Sequence, residues 1–167
     1  VGVGAIVSQL FYEALKAEAG VNAEVINYRG SQPTTAALVA GDVNIAVDAL
    51  LTHLPFIKEG RSIPIVVSSR TRMAQLPQTP TVGEQGLPQL EMVTWFALAA
   101  PARTPKDVID KVNGAVSAAL AMPDVRTRMA DYAMTVGSST PEEMQATIKA
   151  FGDKWAPVVK RAGLRLD

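Results

Sequence analysis

Two glycine-stopped helical stretches separated by short β-branched runs constrain this chain more than any other feature. Residues 24–60 contain Glu24-Val25-Ile26-Asn27-Tyr28, the turn Arg29-Gly30-Ser31, a helical stretch from Pro33 to Ala40, and then Gly41. Val43-Asn44-Ile45-Ala46-Val47-Asp48 follows, with a further helix over 50–59 that stops at Gly60. β-Branched runs favour strands, and a glycine just past a helical stretch ends it. Strand, helix, strand, helix in this order predicts an open, largely parallel α/β sheet. Such sheets gather ligands outside the carboxyl ends of their strands, where helix N-termini offer N–H groups to small anions. Arg29, Gly30 and Ser31 fall at one such end, with Ser31 placed to cap the next helix and Pro33 in its first turn. Asp48 falls at the next, where a carboxylate either caps the following helix or meets a ligand hydroxyl or amine.

The flanking sequence extends this pattern. Residues 5–19 place Ile6, Leu10 and Leu15 on one helical face before Gly20. Val1-Gly2-Val3-Gly4 leads into that helix and matches half of a dinucleotide fingerprint, without its third glycine or a preceding strand. It reads either as a flexible turn or as a place where a carboxylate approaches the helix N–H groups closely. Ile63-Pro64-Ile65-Val66-Val67-Ser68-Ser69 predicts another strand, residues 69–89 a loop that adds little core, and Glu91 to Pro101 a long extended run. Ten such residues reach roughly 33 Å, enough to cross between two lobes. Thr104-Pro105-Lys106-Asp107 and Thr140-Pro141-Glu142-Glu143 then read as helix starts, with Thr as cap and Pro in the first turn. The helices expected there run over 104–121, with Val108, Ile109, Val112, Val116 and Leu120 as an apolar stripe, over 124–132, and over 141–162.

Charge and composition exclude several classes. Sixteen basic residues balance sixteen acidic ones, and neither sign forms a block, so neither a nucleic-acid partner nor a polybasic membrane anchor is expected. No apolar run approaches the roughly 20 residues of a membrane span, and a soluble protein is expected. With no cysteine and one histidine, neither a metal site nor a cofactor is expected. Ser31, His53 and Asp48 supply the residue types of a nucleophilic triad, but no Gly-x-Ser-x-Gly elbow surrounds Ser31, and the chain is not read as an enzyme. The chain starts at Val1, without Met or a signal-peptide pattern, and loss of sequence upstream is expected.

The ordered series of motifs resembles the Bug-type (TctC-like) substrate-binding proteins of tripartite tricarboxylate transporters. The resemblance begins with Val25-Ile26-Asn27-Tyr28-Arg29-Gly30-Ser31-Gln32-Pro33 and Leu38-Val39-Ala40-Gly41-Asp42-Val43-Asn44-Ile45-Ala46-Val47-Asp48. It continues through Leu54-Pro55-Phe56-Ile57-Lys58-Glu59-Gly60, Leu76 to Gly86, Thr94-Trp95-Phe96, Ala100 to Pro105 and Ser139 to Glu143. It implies a periplasmic, two-lobed binding protein of the type II periplasmic-binding-protein fold, with an open mixed sheet and flanking helices. Such a protein closes over a small carboxylate and hands it to membrane permease subunits. Carried over by position, the ligand-binding residues are Gly2, Val3, Gly4 and Ala5 at the first loop, Arg29, Gly30 and Ser31 at the second, and Asp48. The family often has Ser or Thr and then His early in the first helix; this chain has Ala5, Ile6, Val7 and Ser8, which leaves main-chain contacts there.

The resemblance also implies that residues 1–95 form the second lobe and that residues 96–167 return, as a crossover strand and helices, to a first lobe whose N-terminal part is missing. The apolar faces of those helices would then pack on another copy, on remaining first-lobe chain, or on the second lobe, and the chain alone would bind ligand weakly or not at all. A second reading is the effector-binding half of a transcription regulator of similar two-lobed architecture, which would carry an upstream helix-turn-helix.

Overall fold

A computed structural model describes residues 1–164. The described residues divide into two units, residues 1–93 with 155–164, and residues 94–154.

The first unit is built on three very short parallel strands. β1 (Gly2–Val3) lies at the centre, between β2 (Ile26–Asn27) and β3 (Ala46–Val47). Gly2 pairs with Ile26 and Ala46, and Val3 with Asn27 and Val47. The expected strands at 23–28 and 43–48 are thus trimmed to two residues each, and every pairing among the described residues is parallel where a mixed sheet was expected.

Each strand feeds a helix: α1 (Ile6–Ala19), α2 (Ser31–Ala40) and α3 (Leu50–Lys58). Gly20 and Gly41 close α1 and α2 as their positions suggested. The buried face of α1 is Ser8, Leu10, Phe11, Tyr12 and Ala14, while Ile6, expected inside, is exposed. Tyr12 fixes this face: its hydroxyl donates to the Ala23 carbonyl at 2.8 Å and accepts the Ala23 N–H at 2.9 Å. That arrangement buries a large ring without orphaning its polar end.

The segment after α3 departs most from expectation. Residues 63–67 form no strand beyond a single parallel bridge between Val67 and Thr81, and Ile63 is 83% exposed. The loop at 69–89, expected to add little core, contributes buried Leu76, Thr79, Thr81 and Val82. It is held by local bonds that composition alone does not reveal. The Thr81 N–H donates to Glu84 Oε2 at 2.8 Å, and the Glu84 N–H donates to Thr81 Oγ1 at 3.1 Å. Arg72 Nε then binds the Glu84 carboxylate at 2.9 Å. A short 3-10 turn at Pro88–Leu90 carries Leu90 into the core.

In the second unit, α4 (Lys106–Ala121) and α5 (Pro123–Asp131) contain no buried residue. The run from Glu91 to Pro101, expected as a long extended strand, makes no strand pairing among the described residues. Thr104 does not cap α4, whose N-cap is Pro105. α6 (Pro141–Ala162) begins as expected: the Thr140 N–H donates to Glu143 Oε2 at 2.8 Å, and the Glu143 N–H donates to Thr140 Oγ1 at 3.1 Å. Trp95 meets Phe151 edge to face, with ring centroids 6.2 Å apart. No helix among the described residues is long and apolar enough to cross a membrane.

Candidate ligand-binding site

The sheet register assembles the site. Val3, Asn27 and Val47 stand level at the carboxyl edge, so Gly4, Tyr28 and Asp48 leave the sheet together. α1, α2 and α3 begin close behind, with N-caps at Ala5, Gly30 and Ala49. None of the three has a side-chain cap, and none carries an acid in its first turn. Three positive helix ends therefore open toward one edge; α3 has the Asp48 carboxylate beside its N-cap, while α1 and α2 have no acid on their first N–H groups.

Two glycines let these ends approach. A Cβ on Gly4 would stand 2.8 Å from the carbonyl carbon and oxygen of Gly30 and 2.7 Å from Thr34 Oγ1, so a larger residue forces the two loops apart. Gly30 has φ 107°, a conformation that residues with a side chain rarely adopt. Ser31, expected as the cap of α2, is instead its first residue because Gly30 takes the cap position.

The structure brings together Gly4, Ala5, Gly30, Ser31 and Asp48. Ala5 is exposed, while Gly4, Gly30 and Ser31 are half-buried. Gly2 and Val3 lie one step back, inside the sheet. The Gly2 N–H donates to the Ile45 carbonyl at 2.8 Å, and the Val3 carbonyl accepts the Tyr28 N–H at 2.9 Å. Arg29 is exposed at the rim and makes no ion pair among the described residues.

Behind the edge sits a polar cluster. The Ser31 hydroxyl donates to Asp48 Oδ1 at 2.6 Å, and the Ala49 N–H donates to the same oxygen at 2.8 Å. The Asp48 side chain is 2% exposed, and its Oδ2 has no hydrogen-bond partner; His53 Nε2 lies 3.9 Å away, beyond hydrogen-bond reach. Burial pushes the Asp48 carboxyl up, but the His53 ring, the Ser31 hydroxyl and the Ala49 N–H together outweigh it and hold the group below its ordinary value. Asp48 is therefore ionised at neutral pH.

Ser31, Asp48 and His53 do meet, but in the wrong order for a triad. Serine donates to aspartate, and His53 Nε2 instead contacts Thr35 Oγ1 at 3.1 Å. The sequence reading passed over Thr34 and Thr35. Both are buried, and their hydroxyls donate to the Gly30 and Ser31 carbonyls at 3.0 and 2.9 Å. Adjacent threonines one turn after a glycine were the available signal, since their hydroxyls bond back four residues.

An open parallel sheet with uncapped helix ends at its carboxyl edge defines the class: an α/β domain suited to gathering small anions. The comparisons with known proteins give the family. The profile of the tripartite tricarboxylate transporter family receptors (TctC) matches residues 1–164. A UPF0065 protein from the tcbD-tcbE intergenic region of Pseudomonas sp. (strain P51) is 32% identical over 146 residues, covering 87% of this chain and 44% of the relative. Among solved structures, R. palustris Rpa4515 with adipate superposes with a TM-score of 0.86 at 30% identity, over 97% of this chain and 55% of that one. The periplasmic binding protein BugD superposes with a TM-score of 0.84 at 30% identity, over 99% of this chain and 57% of that one. This chain belongs to the tripartite tricarboxylate transporter receptor family, as the Bug-type motifs indicated, and spans about half the length of these relatives.

Proposed function

We propose that this chain is part of a periplasmic solute receptor that captures a small carboxylate and delivers it to the membrane permease of a tripartite tricarboxylate-type transporter. The observation that carries the reading is the meeting of the α1 and α2 N-termini, neither with a side-chain cap or an acid in its first turn, at one sheet edge. A carboxylate there exchanges water for main-chain N–H donors whose positions are fixed before it arrives. Gly4, Ala5, Gly30 and Ser31 are the proposed contacts, Arg29 adds positive charge at the rim, and Asp48 holds Ser31. Gly2 and Val3 act through the sheet, which they position. Adipate in the R. palustris neighbour supports the ligand class.

The reading requires no metal, no cofactor and no bond-making step: the ligand leaves as it entered. Residues 1–95 are proposed as one lobe, and residues 96–167 as a connection and helices belonging to the other.

A thermal-shift screen of mono-, di- and tricarboxylates on the whole receptor that contains this chain, followed by calorimetric titration of the best of them, tests this. A ligand that binds only the folded state raises the melting temperature. The reading expects at least one small carboxylate to do so in wild type and not in Gly4→Val. A broad panel that leaves the wild-type melting temperature unmoved would contradict it.

A further inference from the structure

We infer that the Ser31–Asp48 pair selects a carboxylate that carries a hydrogen-bond donor, a hydroxyl or an ammonium group, on the carbon beside that carboxylate; this deepens the function proposed above and rests on it. A serine hydroxyl has one proton to give and two lone pairs with which to accept. Here the proton is already given, to Asp48 Oδ1 at 2.6 Å, the length of an O–H donated to an ionised carboxylate. Asp48, held ionised, has no proton to return. Half-buried Ser31 therefore offers a ligand only its oxygen lone pairs.

Its surroundings offer the opposite. As the first residue of α2, Ser31 carries a main-chain N–H among those that open the helix, and these groups only donate. One residue thus presents a donor on its backbone and an acceptor on its side chain, separated by the two carbons that join them. A carboxylate and a substituent on the adjacent carbon have the complementary spacing and the complementary polarity.

The charge behind the hydroxyl points the same way. Asp48 Oδ2 is buried without a hydrogen-bond partner, and the His53 ring nitrogen stands 3.9 Å from it, so its negative charge is answered on that side only from beyond hydrogen-bond reach. It favours a donor or a cation next to Ser31 and disfavours a second ligand carboxylate there. An unsubstituted dicarboxylate sets hydrocarbon or another acceptor against the Ser31 oxygen and leaves its lone pairs unmatched.

Two matched series test this by calorimetric titration: succinate with malate and aspartate, and adipate with 2-hydroxyadipate and 2-aminoadipate. The hydroxy or amino member is expected to bind about tenfold tighter than its parent in at least one series, the effect of one well-placed hydrogen bond. Ser31→Ala should bring that ratio close to one, and Ser31→Thr should keep it, with melting temperatures of the unliganded variants confirming that both are folded. Parents that bind as tightly as their derivatives, or a ratio that Ser31→Ala leaves unchanged, would overturn the inference and leave carboxylate capture standing. If no member of either series binds while another carboxylate does, the inference alone falls; if no carboxylate binds, both fall.

Discussion

α1 in the first unit and α4 in the second are helices of similar amphipathic character, yet the two units end up with different interiors. Every buried residue among the described ones lies in residues 1–92 or is Trp155, and none lies in 94–154. α1 to α3 have a sheet to pack on, and Val3, Tyr12, Ala37 and Leu54 fill the space between. α4 has an equally regular stripe, yet Val108 and Val112 on it are 43% and 47% exposed. Periodicity therefore specifies a helix and the face it would bury; whether that face is covered depends on what the rest of the fold brings to it.

The sharpest way to break this contrast is to truncate matched positions in each unit. Tyr12→Ala removes a 1%-exposed ring with two hydrogen bonds and should cost about 3–5 kcal/mol in urea unfolding, whereas Val112→Ala should cost about 1 kcal/mol or less. Equal costs would show that α4 is as tightly packed as α1. Gly4→Ala is expected next in size, at about 1–3 kcal/mol, because its methyl meets the Gly30 backbone. It should weaken carboxylate binding in the same titration. In the second unit, where local bonds count for more, Thr140→Ala should cost about 1 kcal/mol through loss of the α6 cap.

The smallest effect expected is a pH dependence. Asp48 has a folded-state pKa below its ordinary 3.8, so its stabilisation is fully present above that value and is lost as the pH falls through the folded pKa. The stability difference between wild type and Asp48→Asn should therefore be flat from neutral pH to about pH 4 and shrink below it. A difference that grew on acidification would reverse the sign assigned to Asp48.

Legibility followed the same division. The order of elements, the stops at Gly20 and Gly41, the Thr140–Glu143 start and the place of Asp48 were readable because each rests on neighbours within a few residues. The pairing of the strands expected at 63–69 and 91–101 was not, since β-branched content records a tendency to extend and says nothing of a partner. Ser31 was expected to cap α2 by residue type, but Gly30 can adopt a φ that serine avoids and so takes the cap, freeing Ser31 for Asp48. The contact of His53 with Thr35 joins residues eighteen apart on different helices, where no spacing rule reaches.

The central claim is that the carboxyl edge of the small sheet collects a carboxylate on main-chain N–H groups. The most direct test is a titration with adipate followed by backbone amide NMR, which registers even weak occupancy residue by residue. The account predicts that the largest shifts fall on Gly4 to Val7, Gly30 to Gln32 and Ala49 to Leu51. Shifts centred instead on the shallow cleft beside Lys16 and Arg161, or on α4 and α5, would contradict it.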